Sequence, residues 1–125
     1  MNYVIRLNFE SDEAIYQQLC NQIIRGIALG EIRDGESLPS VRQLAEDVSI
    51  NMHTVNKAYG ILKDEGFVKL DRRSGAIVRI SPDKKRILAM MRSEFEPAVI
   101  RAICTGVTRE EAVDLILRLY DEYDV

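Results

Sequence analysis

Along most of the chain apolar residues recur every three or four positions, the spacing that predicts helices. Between residues 13 and 29, Ile15, Leu19, Ile23 and Ile27 follow one another at four-residue intervals, with Tyr16, Cys20 and Ile24 alongside. That is one apolar helix face; Gln17, Gln18, Asn21 and Arg25 are left for water, and Gly30 is placed to stop the helix. Ahead of it, "NYVIRLNF" alternates loosely and reads as a short strand or an extended arm. After the turn-rich "EIRDGESLPS", Ser40 can cap a second helix, with Val41, Leu44, Ala45 and Val48 at i, i+3, i+4 and i+7. Asn51 can cap a third, in which Val55, Ala58, Tyr59 and Leu62 repeat the pattern before Gly66 closes it. Two short helices, each with one apolar stripe and joined by a tight turn, make a helix-turn-helix.

Beyond Gly66 the period changes. "FVKL" and "AIVRI" are β-prone runs on either side of "DRRSG", a hairpin with Arg72 and Arg73 at its tip. "SPDKK" breaks this pattern, and residues 85–104 return to helical spacing through Ile87, Met91, Phe95, Val99 and Ile103. Pro97 lies inside that run and is expected to kink or interrupt it, because it removes a backbone hydrogen bond. "TREE" then opens a last helix with a capping box, Thr108 to Glu111, and Ala112, Ile116, Leu119 and Tyr123 line one side. The predicted fold class is mainly α with a small β-hairpin. A winged helix-turn-helix over residues 1–80 precedes a two-helix C-terminal dimerisation segment over residues 81–125.

Two helices alone are too small to bury both apolar stripes and stand free. Phe95, Val99, Ile103, Ile116, Leu119 and Tyr123 therefore ask for a partner surface, each gaining about 1.5–3 kcal/mol on full burial. A second copy in a two-fold homodimer supplies it; the alternative is packing back onto the first helix of the same chain. The segment is also expected to be too small for a drug-sized pocket of several hundred Å³. A small-molecule effector, if there is one, then belongs at the dimer interface or between domains.

Composition narrows the function class. With 46% hydrophobic and 30% charged residues, the 125-residue chain reads as a folded protein. Its formal charge of −3 argues against coating nucleic acid by bulk charge, but leaves room for a local basic face. No apolar run approaches a membrane span and no secretion signal is legible, so a cytoplasmic protein is expected. Cys20 and Cys104 are then expected to be reduced, buried small hydrophobes. With His53 the chain's one histidine and two distant cysteines, neither a catalytic triad nor a zinc site can be assembled. No glycine-rich phosphate loop occurs, and Glu110-Glu111 and Asp121-Glu122 read as ordinary surface charges. Neither an enzyme nor a cofactor is expected.

The helix beginning after Asn51 carries the positive signal. With its apolar stripe turned inward, His53, Asn56, Lys57 and Gly60 face outward, Met52 flanks the first turn and Thr54 lies at the edge. Asparagine can bond an adenine edge, threonine can offer its methyl to thymine, and lysine can reach a guanine or a phosphate. Free amides at the helix N-terminus attract phosphate as well. Such a face also suits a plain polar surface. Arg42 in the preceding helix and Arg72–Arg73 at the hairpin tip tilt the balance, flanking this helix with cations as a duplex-gripping winged helix would. The competing reading, which the acidic balance mildly favours, is a winged-helix protein–protein interaction module that binds no DNA.

The segments "GEIRDGESLPSVRQLA" and "TVNKAYGILKDEGFV", in order and without gaps, resemble the DNA-binding domain of GntR-type bacterial transcription regulators. The short tail containing "AVIRAICTGVTREEAVDLI" looks like the YtrA subfamily, whose C-terminal part is two helices. The resemblance implies a homodimer acting on a palindromic operator in double-stranded DNA, read here as a repressor. It carries DNA contacts onto Ser40 and Arg42, onto Asn51, Met52, His53, Thr54 and Asn56, and onto the wing at Arg72, Arg73, Ser74 and Gly75; the outward Lys57 joins them from its position. Two departures stand out. Many family members have arginine where this chain has Met52 and Asn56, and Arg73 replaces the first glycine of a Gly-x-Gly wing.

Overall fold

Helices form where the apolar spacing puts them, and each boundary has a chemical cause. The computed structural model describes residues 3–73, 75–81 and 83–123, and the chain divides into two units, Met1–Ser81 and Pro82–Val125. In the first unit α1 spans Ile15–Ala28 and stops at Gly30, whose φ of +76° suits glycine. α2 spans Val41–Val48, with the Ser40 hydroxyl accepting the Gln43 N–H at 3.0 Å. α3 spans Met52–Asp64, and the Asn51 carboxamide oxygen accepts the His53 N–H at 2.7 Å. Both caps satisfy amides that a helix start leaves unpaired. Between α2 and α3 the chain turns through Ser49 in the left-handed region, φ +57°, and the Ile50 N–H bonds back to the Ala45 carbonyl at 3.0 Å.

The three helices share one core. Leu19, Cys20 and Ile23 of α1 meet Leu44 and Ala45 of α2 and Val55, Ala58, Tyr59 and Leu62 of α3. A hairpin of β1 (Val68–Asp71) and β2 (Gly75–Val78) joins it through Val68, Ala76 and Val78, antiparallel with Val68 opposite Val78 and Asp71 opposite Gly75. The connection before α2, legible in the sequence only as turns, adds a short third segment to this wing. Ser37 bridges Ile77, the Leu38 N–H donates to Ala76 at 2.8 Å, and the Val78 N–H donates to Glu36 at 2.9 Å.

The N-terminal segment is an extended arm, with Tyr3, Ile5 and Leu7 half-buried and their neighbours exposed. Its attachment corrects one expectation. Gln18 is not left to water but is 7% exposed. Its amide NH2 donates to the Asn8 carbonyl at 2.9 Å and the Glu13 carbonyl at 2.8 Å, while its oxygen accepts the Asn8 N–H at 2.8 Å. Gln22 pairs in the same way with the Arg6 N–H and carbonyl. A carboxamide carries a donor and an acceptor side by side, as a peptide group does, so α1 holds the arm as a neighbouring strand would. Below it, a Cβ on Gly26 would lie 2.7 Å from the Ile32 side chain and 3.0 Å from the Tyr3 ring; the close approach requires glycine.

In the second unit α4 spans Lys84–Thr105 and α5 spans Arg109–Glu122. Pro97 does not interrupt α4, contrary to expectation. Its ring removes the one bond to the Ser93 carbonyl, and both residues are exposed, so water can satisfy that oxygen. The capping box at α5 is complete: the Thr108 hydroxyl accepts the Glu111 N–H at 3.1 Å, and the Glu111 carboxylate accepts the Thr108 N–H at 3.0 Å. Those bonds, the backbone one first, hold the Glu111 carboxyl below its usual range. No described residue of this unit is buried. Cys104 is accordingly exposed rather than buried, while Cys20 lies in the first unit's core. An open apolar groove of about 370 Å³ runs between α4 and α5, lined by Phe95, Val99, Ala102, Leu115, Ile116 and Leu119, more room than expected there. Among the described residues no helix is long and apolar enough to cross a membrane.

Candidate nucleic-acid interface

The apolar stripe of α3 fixes which side chains face out. Val55, Ala58, Tyr59 and Leu62 are buried, whereas Asn51, Met52, His53 and Asn56 are exposed and Thr54 is half-buried at the edge. Two polar ties hold the helix in place. The Tyr59 hydroxyl donates to the Pro39 carbonyl at 2.7 Å, joining α3 to the entrance of α2. Burial pushes that phenol well above its usual range and keeps it a donor. From α1 the Cys20 thiol donates to the Ala58 carbonyl at 3.4 Å; burial, with the Glu65 charge second, pushes it up to about 11.

A groove of about 320 Å³ separates the helix-turn-helix from the wing. Ser40, Val41, Asn56 and Tyr59 line one side, and Leu70, Asp71, Arg72, Gly75 and Ala76 the other. Ser40, Asn56, Arg72 and Gly75, singled out separately in the sequence, thus border one cleft. Arg73 is exposed, and its N–H donates to the Asp71 carboxylate at 2.7 Å, which shapes the hairpin tip. Ser74 lies outside the described residues. Arg42 projects from α2 with its Nε 3.5 Å from Glu46 Oε1, a pair with both side chains exposed. Such a surface pair is worth little and yields readily to a stronger anion.

Two polar groups on this face are already engaged. The Ser40 and Asn51 oxygens accept helix N–H groups, so each has its own hydroxyl or NH2 hydrogens left to donate outward. Lys57 is exposed, and its Nζ stands 3.9 Å from the centre of the Tyr16 ring of α1. No local sequence signal exposed that pairing, because the partners lie on different helices. The Tyr59–Pro39 tie did have a signal, since a tyrosine on a buried stripe must place its hydroxyl somewhere. Among the described residues no three His, Cys, Asp or Glu side chains gather to hold a metal.

Three helices, a three-residue turn and a cation-tipped hairpin define a winged helix-turn-helix regulator. The pattern of bacterial regulatory proteins of the gntR family matches residues 13–78, more than half of the chain, from the approach to α1 through β2. The chain belongs to the GntR family, transcription regulators with a helix-turn-helix DNA-binding domain and not enzymes. Within it, the chain is 32% identical over 113 residues to the HTH-type transcriptional repressor YtrA of Bacillus subtilis (strain 168), covering 86% of this chain and 85% of that protein. YtrA from Sulfolobus acidocaldarius, a GntR-family transcription factor of solved structure, is 39% identical with a TM-score of 0.62, over 80% of this chain and 97% of its own. A transcriptional antiterminator from Listeria monocytogenes EGD-e superposes with a TM-score of 0.80 at 27% identity, over 100% of this chain and 92% of its own.

Proposed function

We propose that the chain is a cytoplasmic homodimeric repressor that binds a palindromic operator in double-stranded DNA, with α3 in the major groove and the wing against the neighbouring backbone. The cleft bordered by Ser40 and Asn56 on one side and Arg72 and Gly75 on the other carries this reading. Asn51, Met52, His53, Thr54 and Asn56 meet base edges. Ser40 takes a phosphate beside α2, Arg42 reaches a phosphate or a base edge there, and Arg72, Arg73, Ser74 and Gly75 form the wing contact. Lys57 braces α3 against Tyr16 instead of touching DNA. Repression is carried over from the name of the B. subtilis relative.

Dimerisation through α4 and α5 is supported by the apolar side chains that both helices leave exposed between their charged ones. Ile103 is 72% exposed, Val99 47% and Leu119 48%, and Phe95, Ile100, Val113, Leu117 and Tyr120 are exposed as well. Ile116 and Tyr123 are half-buried beside them. So many large apolar side chains exposed together mark an interaction surface. A two-fold dimer would set two copies of α3 about one helical turn of DNA apart, roughly 34 Å. An effector, if regulation uses one, would find its room in the α4–α5 groove.

Fluorescence-anisotropy titrations against the chain's own upstream DNA at several salt concentrations, with light scattering for mass, test the reading. A dimer with a steep salt slope is expected, and Val99→Asp should give monomers that lose operator affinity. Equal affinity for upstream and random DNA, or a monomeric wild type, would overturn it.

A further inference from the structure

We infer that the base pairs beneath α3 in each half-site are A·T pairs, recognised by adenine edges and thymine methyls; this rests on the DNA-binding reading above. In the major groove guanine shows two acceptors, adenine an acceptor beside a donor, and thymine an acceptor beside a methyl group. Which of these a helix can read follows from the atoms on its exposed first turns. α3 offers the Asn56 carboxamide, a donor and an acceptor at one tip, which matches adenine. It also offers the Met52 side chain, 50% exposed at the first helical residue, and the Thr54 methyl at the edge. Met52 presents apolar surface to water that a thymine methyl would cover.

Guanine asks for paired donors of the kind arginine or lysine supplies. α3 contains no arginine. Lys57 is held over the Tyr16 ring at 3.9 Å, and Lys63 stands in the last turn, far from the helix start. His53 can make one bond to a base edge and not two. Arg42 is the remaining cation of the helix-turn-helix, so a guanine fits only at the α2 side of the half-site.

The test is selection of duplexes by the full chain from a random pool, followed by titration of the recovered sequence with one position altered at a time. Uracil in place of thymine removes the methyl, and 7-deazaadenine removes the adenine N7. The expected motif has adenine or thymine under α3, and each A·T to G·C change there weakens binding about five- to 150-fold. Uracil at one position should weaken the wild type and leave Met52→Ala indifferent; 7-deazaadenine at another should do so for Asn56→Ala. Both side chains are exposed, so thermal melting should show each variant folded as wild type is. Guanine or cytosine at most positions under α3, or tolerance of both analogues throughout, overturns the base assignment while DNA binding stands. Failure to enrich any sequence overturns the DNA-binding reading, and this inference with it.

Discussion

The Lys57 ammonium stands 3.9 Å from the centre of the Tyr16 ring, so an exposed lysine on the outward side of α3 is tied to α1. A cation over an aromatic face at an exposed site stabilises by about 0.5–1 kcal/mol. The charge is therefore a fastening between two helices.

Lys57→Ala is expected to lower unfolding free energy by about 0.5–1 kcal/mol and to leave the salt dependence of DNA binding unchanged. Arg42→Ala should do the reverse, flattening the salt slope by about one while stability holds. Urea denaturation and titrations over a salt series measure both. An equal loss of slope in the two variants would show that Lys57 meets a phosphate after all.

Gln18→Leu removes three hydrogen bonds from a buried position and releases the Asn8 peptide and the Glu13 carbonyl. Asn8 and Glu13 are exposed and can turn to water, so the loss is that of ordinary hydrogen bonds, about 0.5–1.5 kcal/mol apiece. The arm should then loosen, with limited proteolysis cutting ahead of α1 faster than in wild type. An unchanged digestion pattern would mean that Tyr3, Ile5 and Leu7 hold the arm alone.

Asn51→Ala should cost about 1 kcal/mol through the lost cap, and Asn51→Ser should restore most of it. Thermal melting separates these from any DNA effect. If the alanine variant melts with wild type, the 2.7 Å bond to the His53 N–H contributes nothing to α3.

Cys20 gives a pH dependence of definite sign. Its folded pKa, about 11, lies above the ordinary 9.0. The stabilisation is therefore complete below pH 9 and fades as pH rises toward 11, on the order of 2–3 kcal/mol in all. Tyr59, also pushed up by burial, adds to the alkaline loss. Cys20→Ala should flatten the first part of that decline in denaturant titrations across pH. In the native protein iodoacetamide should modify Cys104 and spare Cys20; labelling of both would contradict the buried thiol.

The periodic segments were legible because burial on one face writes itself into sequence. The spacing of Val55, Ala58, Tyr59 and Leu62 gave the inward side of α3 and, by subtraction, the outward one. Ser40, Asn51 and Thr108 were readable as caps for a local reason, since a cap bonds amides two or three residues away. Long-range pairings left no such mark. Gln18 reads as a solvated helix residue until an arm lies over it, and Lys57 as a free cation until Tyr16 is beside it. Ser37 joins the wing in a segment too short to show a period. Cys104 differs from its expected burial because an apolar helical run implies cover, and no described residue of its unit is buried.

That third segment of the wing has a mechanical consequence. The residues leading into α2 are hydrogen-bonded to β2, from Gly35 through Leu38, and Ser40 follows two positions later. The base of the hairpin and the entrance of α2 are thus tied to each other by main-chain hydrogen bonds. On the proposed binding mode this tie would act as a fixed-jaw gauge: a duplex whose groove-to-backbone offset departs from that spacing would have to bend to fit, or be refused.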